Sequence, residues 1–113
     1  MAQARTSPAT THITINSKCD VVPAHPTLHA RDQLEFHCGA GSDFYLLLPG
    51  GVFEGRDDLF LLHVDSSTFV PNPPLVVRTG LSTHIVNYVY DNSGHNCRPG
   101  ATLVDPPDMI IQS

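Results

Sequence analysis

Apolar and polar residues alternate along several short stretches of the chain. Leu34, Phe36 and Cys38 alternate with polar residues, and Ile13 and Ile15 are separated by a threonine. Successive side chains of a β-strand point to opposite faces, so this period of two predicts strands with one buried face and one wetted face. No stretch of ten or more residues combines the helical spacing of i, i+3, i+4 and i+7 with capping residues. The pattern therefore predicts an all-β protein.

Turn-forming residues divide the chain into further short β-type runs. The runs recur at a spacing of roughly 8 to 12 residues, which is typical of all-β sandwiches. About seven or eight such strands predict a two-sheet antiparallel sandwich. Three prolines within residues 71–74 remove backbone donors and fix φ, so we expect a stiff, extended segment there.

The length of 113 residues suits one domain with one core. Residues 1–10 are small and polar without periodicity, which predicts a flexible arm before a sandwich domain over residues 11–113. No apolar run approaches the roughly 20 residues of a membrane span. The amino end also lacks the basic start and apolar block of a secretory signal, so the sequence as written predicts a cytoplasmic protein. Removal of a signal would instead indicate a periplasmic or secreted one.

Three segments resemble cupredoxin-like domains. Residues 22–36 carry a proline, an extended stretch and Asp32 before the alternating strand, although Arg31 stands where the family usually has glycine. Residues 88–90, Tyr-Val-Tyr, are similar to the family's penultimate aromatic strand, and residues 105–111 to its closing strand. The resemblance covers about residues 11–112. It implies a Greek-key sandwich and, in the complete family pattern, a type 1 copper site with His, Cys, His and Met ligands.

The implied copper ligands do not transfer to this chain. Ser42 and Asp43 stand where the family has its first histidine, and Asp91 stands where the ligand cysteine is expected. The closing loop holds His95 and Cys97 in the reverse order, with no histidine after them. A type 1 site needs a thiolate and two imidazoles in a trigonal arrangement. We therefore expect no resident cofactor.

A different copper site remains an alternative. A single residue separates His95 from Cys97, and an imidazole and a thiolate at this spacing can reach one ion. Two ligands do not complete a site. A third would have to come from a distant histidine, with His37 or His84 as candidates beside His63, or from the carboxylates Asp43 and Asp91. The alternative function is therefore copper binding or electron transfer through an irregular Cys and His site.

The cysteine count is odd. Three cysteines leave at least one thiol unpaired within the chain. Cys38 belongs to an alternating strand, where we expect it to be a small buried hydrophobe. Cys19 and Cys97 lie beside turn residues, and a bridge between them is the open possibility in an oxidising compartment.

Charge and motifs exclude other classes of function. The formal net charge is −5 and Lys18 is the single lysine, whereas a nucleic-acid surface needs clustered Lys and Arg. The chain has no Gly-x-Ser-x-Gly turn for a nucleophile and no phosphate-binding glycine loop followed by Lys-Ser/Thr. We therefore expect neither a nucleic-acid partner nor catalytic activity.

The remaining candidates are surfaces for contact with other proteins. Stiff, extended segments lose less conformational entropy on binding. We therefore expect a non-catalytic binding or assembly module that contacts a protein partner or a second copy of the chain. The expected contact residues are apolar or proline residues in or near loops: Val52, Phe53, Phe69, Pro71, Pro73 and Pro74.

Overall fold

The computed structural model describes residues 9–39, 41–86, 88–95 and 108–112. These residues form ten strands and no helix, so the prediction of an all-β protein is confirmed. The strands are β1 (Thr10–Ile15), β2 (Val21–Val22), β3 (Thr27–His29), β4 (Gln33–Cys38), β5 (Asp43–Leu48), β6 (Phe60–Asp65), β7 (Val70–Val76), β8 (Thr83–Val86), β9 (Tyr88–Tyr90) and β10 (Asp108–Gln112).

The strand number exceeds the seven or eight expected because two runs are divided. The stretch before β4 becomes two short strands, β2 and β3, with Pro23 and Pro26 between them, and proline cannot donate to a strand ladder. The β-type run over residues 85–90 is likewise divided between β8 and β9, with residue 87 between the two strands.

The strands form three sheets. Their orders are β2-β1-β4-β7, β3-β10-β8 and β6-β5-β9. Because one residue separates β8 from β9 in the sequence, the chain passes from the second sheet to the third at this point. Side chains from all three sheets meet in one hydrophobic core. This arrangement is compatible with a β-sandwich.

Two strand pairs differ from the antiparallel arrangement that we expected. β1 pairs with β4 in parallel, and β3 pairs with β10 in parallel, whereas the other pairs are antiparallel. Parallel partners cannot be joined by a tight hairpin. β2 and β3 lie between β1 and β4 along the chain, and β4 to β9 lie between β3 and β10, so each parallel pair has room for a crossover connection.

The core follows the alternation seen in the sequence. Ile13 and Ile15 of β1 and Leu34, Phe36 and Cys38 of β4 are all completely buried. Phe44, Leu46 and Leu48 supply the buried side of β5. The outward residues of these strands remain wholly or partly exposed, so each strand has two chemically distinct sides.

Val52 and Phe53 belong to the core, and the expectation that they are exposed contact residues is wrong. Phe53 is completely buried and Val52 nearly so. Their loop folds back onto the residues that follow β7: the Arg78 N–H donates to the Val52 carbonyl over 2.9 Å, and Arg78 Nε donates to the Phe53 carbonyl over 3.1 Å. These bonds hold both side chains inward.

The amino end of the described chain is bound to the domain. β1 begins at Thr10, which was expected in the flexible arm. The Ala9 N–H donates to Oδ1 of the buried Asp32 over 3.1 Å, and the Ala9 carbonyl accepts from the Gln33 N–H over 2.9 Å. The rest of the arm, residues 1–8, lies outside the described residues. Within the described residues no helix is long and apolar enough to cross a membrane.

Candidate contact surface

The outer side of the four-stranded sheet is polar. His12 lies beside Glu35 in the parallel register of β1 and β4, and its Nε2 is 2.9 Å from Glu35 Oε1. The Thr10 hydroxyl donates to the Gln33 side-chain oxygen over 3.1 Å. Two pairs of side chains on this side therefore form hydrogen bonds with each other across β1 and β4. We call it the polar face and define it as Thr10, His12, Thr14, Gln33, Glu35 and His37.

Phe69 covers part of the polar face. Its ring centroid lies 4.4 Å from that of His12 and 4.9 Å from that of His37. His37 Nδ1 is buried and has no hydrogen-bond partner among the described residues. Phe69 is a predicted contact residue, and the structure shows that its ring is already engaged with two histidines of its own chain.

The predicted proline contact residues lie in β7, an edge strand in the described sheets. Pro73 is exposed, whereas Pro71 and Pro74 are half-buried. β7 pairs with β4 on one side only, and its register shifts between Leu34 and Phe36 of β4. An edge strand with an irregular register is the place in a sheet where proline is tolerated, because its missing N–H is not needed there.

The outer side of the β6-β5-β9 sheet is apolar and aromatic. Tyr45 of β5 lies between Tyr90 of β9 and His63 of β6, and Leu47 lies between Tyr88 and Leu61 in the next row. Their inward neighbours are buried, so these side chains occupy the solvent side of the sheet. We call this side the tyrosine face and define it as Tyr45, Leu47, Leu61, Tyr88 and Tyr90, with Asp43 and His63 at its edge.

A hollow of about 430 Å³ opens on the tyrosine face. Tyrosine and leucine side chains form most of its wall, and Asp91 is its single charged residue among the lining residues. Leu61, one of the lining residues, is 60% exposed, and Leu59, which precedes β6, is 65% exposed. The lining residues are Tyr45, Leu47, Leu61, Tyr90, Asp91, Asn92 and Gly94.

The turn after β9 forms one wall of the hollow. The Gly94 N–H donates to the Asp91 carbonyl over 3.0 Å, and Gly94 has a φ of 82°, a left-handed conformation that favours glycine. Oδ1 of Asp91 accepts from the Ser93 N–H over 2.9 Å and from the His95 N–H over 3.0 Å. An aspartate that accepts from the backbone two residues later is typical of a tight turn. Asp91 therefore both shapes the turn and contributes charge to the hollow.

A row of polar side chains lies at the edge of the tyrosine face. His63 Nε2 is hydrogen-bonded to Asp43 Oδ1, and the imidazole stacks on Tyr45 with ring centroids 4.9 Å apart. The Asn92 amide donates to Asp43 Oδ2 over 3.4 Å. These contacts connect β5, β6 and the turn after β9, so they fix the shape of this edge.

Asp65 lies opposite Asp43 in the antiparallel register, which places two carboxylates side by side. Asp65 Oδ1 accepts from the Ser67 hydroxyl over 2.7 Å and from the Ser67 N–H over 3.0 Å. These hydrogen bonds, with a smaller effect of the nearby His63, lower the pKa of Asp65 below its ordinary value. The carboxylate therefore stays ionised and gives this edge of the face a negative charge.

The thiol of Cys38 is unsuited to nucleophilic catalysis. Cys38 is free and completely buried, and its Sγ donates to the Val64 carbonyl over 3.1 Å. Burial is the main reason that the pKa of the Cys38 thiol is raised to about 11; a hydrogen bond with the Phe44 backbone lowers it, and the charges of Asp43 and Asp65 raise it. Because the thiolate is the reactive form, Cys38 is a poor nucleophile at neutral pH.

Cys19 differs from Cys38, because it is disulfide-bonded. Its sequence-based partner, Cys97, lies outside the described residues. Cys19 is buried and has a φ of 70°, and its N–H donates to the Asn16 carbonyl over 2.9 Å in the turn between β1 and β2. The structure therefore agrees with a disulfide at Cys19, and the identity of Cys97 as its partner stays a prediction.

The candidate metal ligands are dispersed in the described part of the chain. His95 Nδ1 is 3.9 Å from Asp91 Oδ1 near the turn after β9, whereas His84 Nε2 is 3.3 Å from Asp108 Oδ2 within the β3-β10-β8 sheet. His37 packs on Phe69 across the molecule's polar face. No three His, Cys, Asp or Glu side chains of the described residues are grouped so that they could hold an ion. Cys97, on which the irregular copper site depends, lies outside these residues.

Sequence reasoning missed the tyrosine face, although the signal was present. Residues 43–48 are apolar on both sides of the strand, and Tyr88 and Tyr90 share one side of theirs. A strand that is apolar on both sides either packs against other elements on both sides or exposes one apolar side to solvent. The strand pairing that brings Tyr45 and Tyr90 together joins residues 45 positions apart, and no local pattern indicates such a pairing.

The chain matches no protein-family model, and no curated protein is significantly similar to it in sequence.

Proposed function

We propose that the chain is a non-catalytic binding or assembly module that contacts another protein through the tyrosine face. The observation that carries this proposal is the apolar hollow of about 430 Å³ on a sheet face that is flanked by exposed leucines. Clustered exposed apolar surface with a polar edge is typical of sites for protein contact. The contact surface differs from the one expected from the sequence, because Val52 and Phe53 are buried and Phe69 is engaged on the polar face.

The composition of the tyrosine face supports a protein partner. Tyrosine side chains are enriched in protein interfaces, because their rings bury a large apolar area and keep one polar group for a hydrogen bond. The three tyrosines of the chain all lie on this face. The paired Asp43 and His63 at its edge supply the polar rim that such interfaces usually have.

The proposed scaffold is a cupredoxin-like Greek-key sandwich. The all-β architecture with a single core is compatible with it. Arg31 also has a φ of 70°, and glycine, the usual residue of the resembled family at this place, is favoured in that conformation. Asp32 accepts from the His29 N–H over 2.9 Å, so the Asp that matches the family pattern fixes the turn before β4.

The disulfide at Cys19 supports function in an oxidising compartment. Disulfides persist in the periplasm and outside the cell and are rare in the cytosol. Of the two locations considered from the sequence, the periplasmic or secreted one is therefore the better supported.

A selection experiment tests the contact surface. A library of random peptides displayed on phage is selected on the purified protein, and the enriched peptides are measured against two variants. Leu61→Asn replaces a leucine of the tyrosine face that is 60% exposed. Val22→Asn is the matched control, because Val22 is 56% exposed but lies in β2 of the four-stranded sheet, away from the tyrosine face.

We expect the Leu61→Asn variant to weaken peptide binding by at least about tenfold, since central apolar contacts dominate interface energies. The Val22→Asn variant is expected to bind as the unmodified protein does. Equal melting temperatures of both variants would show that the fold is retained. Binding that is lost in Val22→Asn and kept in Leu61→Asn would refute the proposal.

A further inference from the structure

We infer that the hollow of the tyrosine face accepts a lysine or arginine side chain of the protein partner. The inference rests on the proposed function and specifies the chemistry of its partner. It follows from the combination of an apolar wall, aromatic rings and one carboxylate in a single hollow.

The wall of the hollow matches the stem of a long basic side chain. Leu47 and Leu61 lie side by side on β5 and β6, and Tyr45 lies in the next row of the sheet. Lysine and arginine bury their aliphatic stems along apolar surface while the charged group remains near water or an acid. A neutral aliphatic side chain would fit the same wall but would leave the carboxylate among the lining residues without a charged partner.

Asp91 supplies the acid. Its Oδ1 is occupied by the two backbone N–H groups of the turn, whereas its Oδ2 accepts no hydrogen bond from the described residues. The Asp91 side chain is 42% exposed, so an incoming ammonium or guanidinium group can reach it. A cation on Oδ2 would leave both turn-forming bonds intact.

No lysine or arginine among the described residues lines the hollow. The imidazole of His95, whose Nδ1 is 3.9 Å from Asp91 Oδ1, lies beside Asp91 but is not a lining residue. Arg78 pairs with Asp57, and the Arg56 guanidinium lies 4.6 Å from the Phe60 ring centroid, so neither lines the hollow. Asp91 is the charged side chain among the lining residues, whereas Asp43 and Asp65 lie at the edge of the face and do not line the hollow. The local charge therefore favours a positively charged side chain from outside.

The aromatic rings favour the same ligand. A cation within about 6 Å of a tyrosine ring centroid is attracted by the negative face of the ring. Tyr45 and Tyr90 are neighbours across β5 and β9, and both line the hollow. Such contacts distinguish a lysine or arginine from an uncharged chain of the same length.

Charge also favours a different protein over a second copy of this chain. A second copy would carry the same net charge of −5, and like net charges oppose association. The proposed occupant is therefore a basic side chain in a protein of different sequence.

The test is a titration of ¹⁵N-labelled protein with small probes, followed by amide chemical shifts. The probes are the Nα-acetyl amides of lysine, arginine, norleucine and glutamate. Norleucine keeps the aliphatic stem and lacks the charge. We expect the lysine and arginine amides to shift the amides of Tyr45, Asp91 and Gly94 and to bind at least about fivefold more tightly than the norleucine amide.

Asp91→Asn and Asp65→Asn provide the matched pair of variants. Asparagine keeps an oxygen for the backbone bonds at either position, so each variant loses one charge and retains its turn. Asp91 lines the hollow and Asp65 does not. We expect Asp91→Asn to weaken lysine-amide binding about fivefold and Asp65→Asn to change it by less than about twofold.

Three results would overturn the inference: norleucine-amide binding as tight as that of lysine amide, no shift of the hollow at the highest soluble probe concentration, or equal effects of the two variants. Peptides from the display experiment separate this failure from that of the proposed function. If the selected peptides depend on Leu61 but contain no Lys or Arg, the tyrosine face remains the proposed contact surface, and the inference of a basic side chain in the hollow is refuted. Peptides that do not depend on Leu61 would refute the contact surface itself.

Discussion

The polar face and the tyrosine face are the outer sides of sheets that share one core, yet their side chains are used differently. On the polar face, His12 bonds Glu35, Thr10 bonds Gln33, and Phe69 covers two imidazoles. On the tyrosine face, a hollow of about 430 Å³ remains open among tyrosine and leucine side chains.

The difference shows where the chain has surface available for a partner. Side chains that form hydrogen bonds with each other across strands stabilise the sheet. They have fewer free donors and acceptors with which to bind another molecule. Exposed apolar side chains gain free energy only when something covers them, at roughly 25 cal/mol per Å² of buried apolar surface. This difference is the reason that we propose the tyrosine face, and not the polar face, as the contact surface.

The largest expected effect on stability comes from Phe69. Phe69→Ala removes both ring contacts with the polar face and is expected to lower the free energy of unfolding by about 1 kcal/mol or more. Leu61→Ala on the tyrosine face is expected to change it by less than about 0.5 kcal/mol, because an exposed side chain contributes little to folding. Urea unfolding followed by circular dichroism measures both.

The reverse order would break the comparison between the two faces. If Leu61→Ala proved more destabilising than Phe69→Ala, the leucine would be part of the folded structure and not a free contact residue. Phe69→Leu is a useful control, because it keeps apolar cover over His12 and His37 without the ring stacking.

A smaller effect is expected from Asp65 at the edge of the tyrosine face. Its pKa is lowered in the folded chain, chiefly by hydrogen bonds from Ser67, so the ionised form is favoured by folding. The resulting stabilisation is present above the ordinary aspartate pKa of about 4 and is lost as the pH falls through the lower folded value. Asp65→Asn should therefore be less stable than the unmodified protein at neutral pH, and the gap should close in acid.

Urea unfolding at a series of pH values measures this gap. Ser67→Ala removes the hydroxyl donor and should reduce the gap in the same pH range. A gap that stays constant from neutral pH into acid would show that the Asp65 charge does not contribute to this edge of the face.

Local patterning predicted much of the fold. The buried positions of β1 and β4 follow directly from alternation, because a strand with one wetted side must place every second residue in the core. Pairing between strands could not be predicted in the same way. The parallel pair of β1 and β4 depends on which strands the core brings together, and that is a property of the whole chain.

The candidate surface was predictable only in part. The acid at Asp91 and the shared side of Tyr88 and Tyr90 were visible in the sequence, but their meeting with Tyr45 depends on the pairing of β5 with β9. Val52 and Phe53 misled the prediction, because glycines around them indicated an exposed loop. Backbone bonds between that loop and residues 76–78 hold them in the core, and no local pattern shows those bonds.

The most direct test is to map a selected peptide onto the ¹⁵N-labelled protein by amide chemical shifts. We predict that the largest changes fall on β5, β6, β9 and the turn at residues 91–95, while β1 and β4 change little. Changes concentrated on β1 and β4 would contradict the assignment of the tyrosine face as the contact surface.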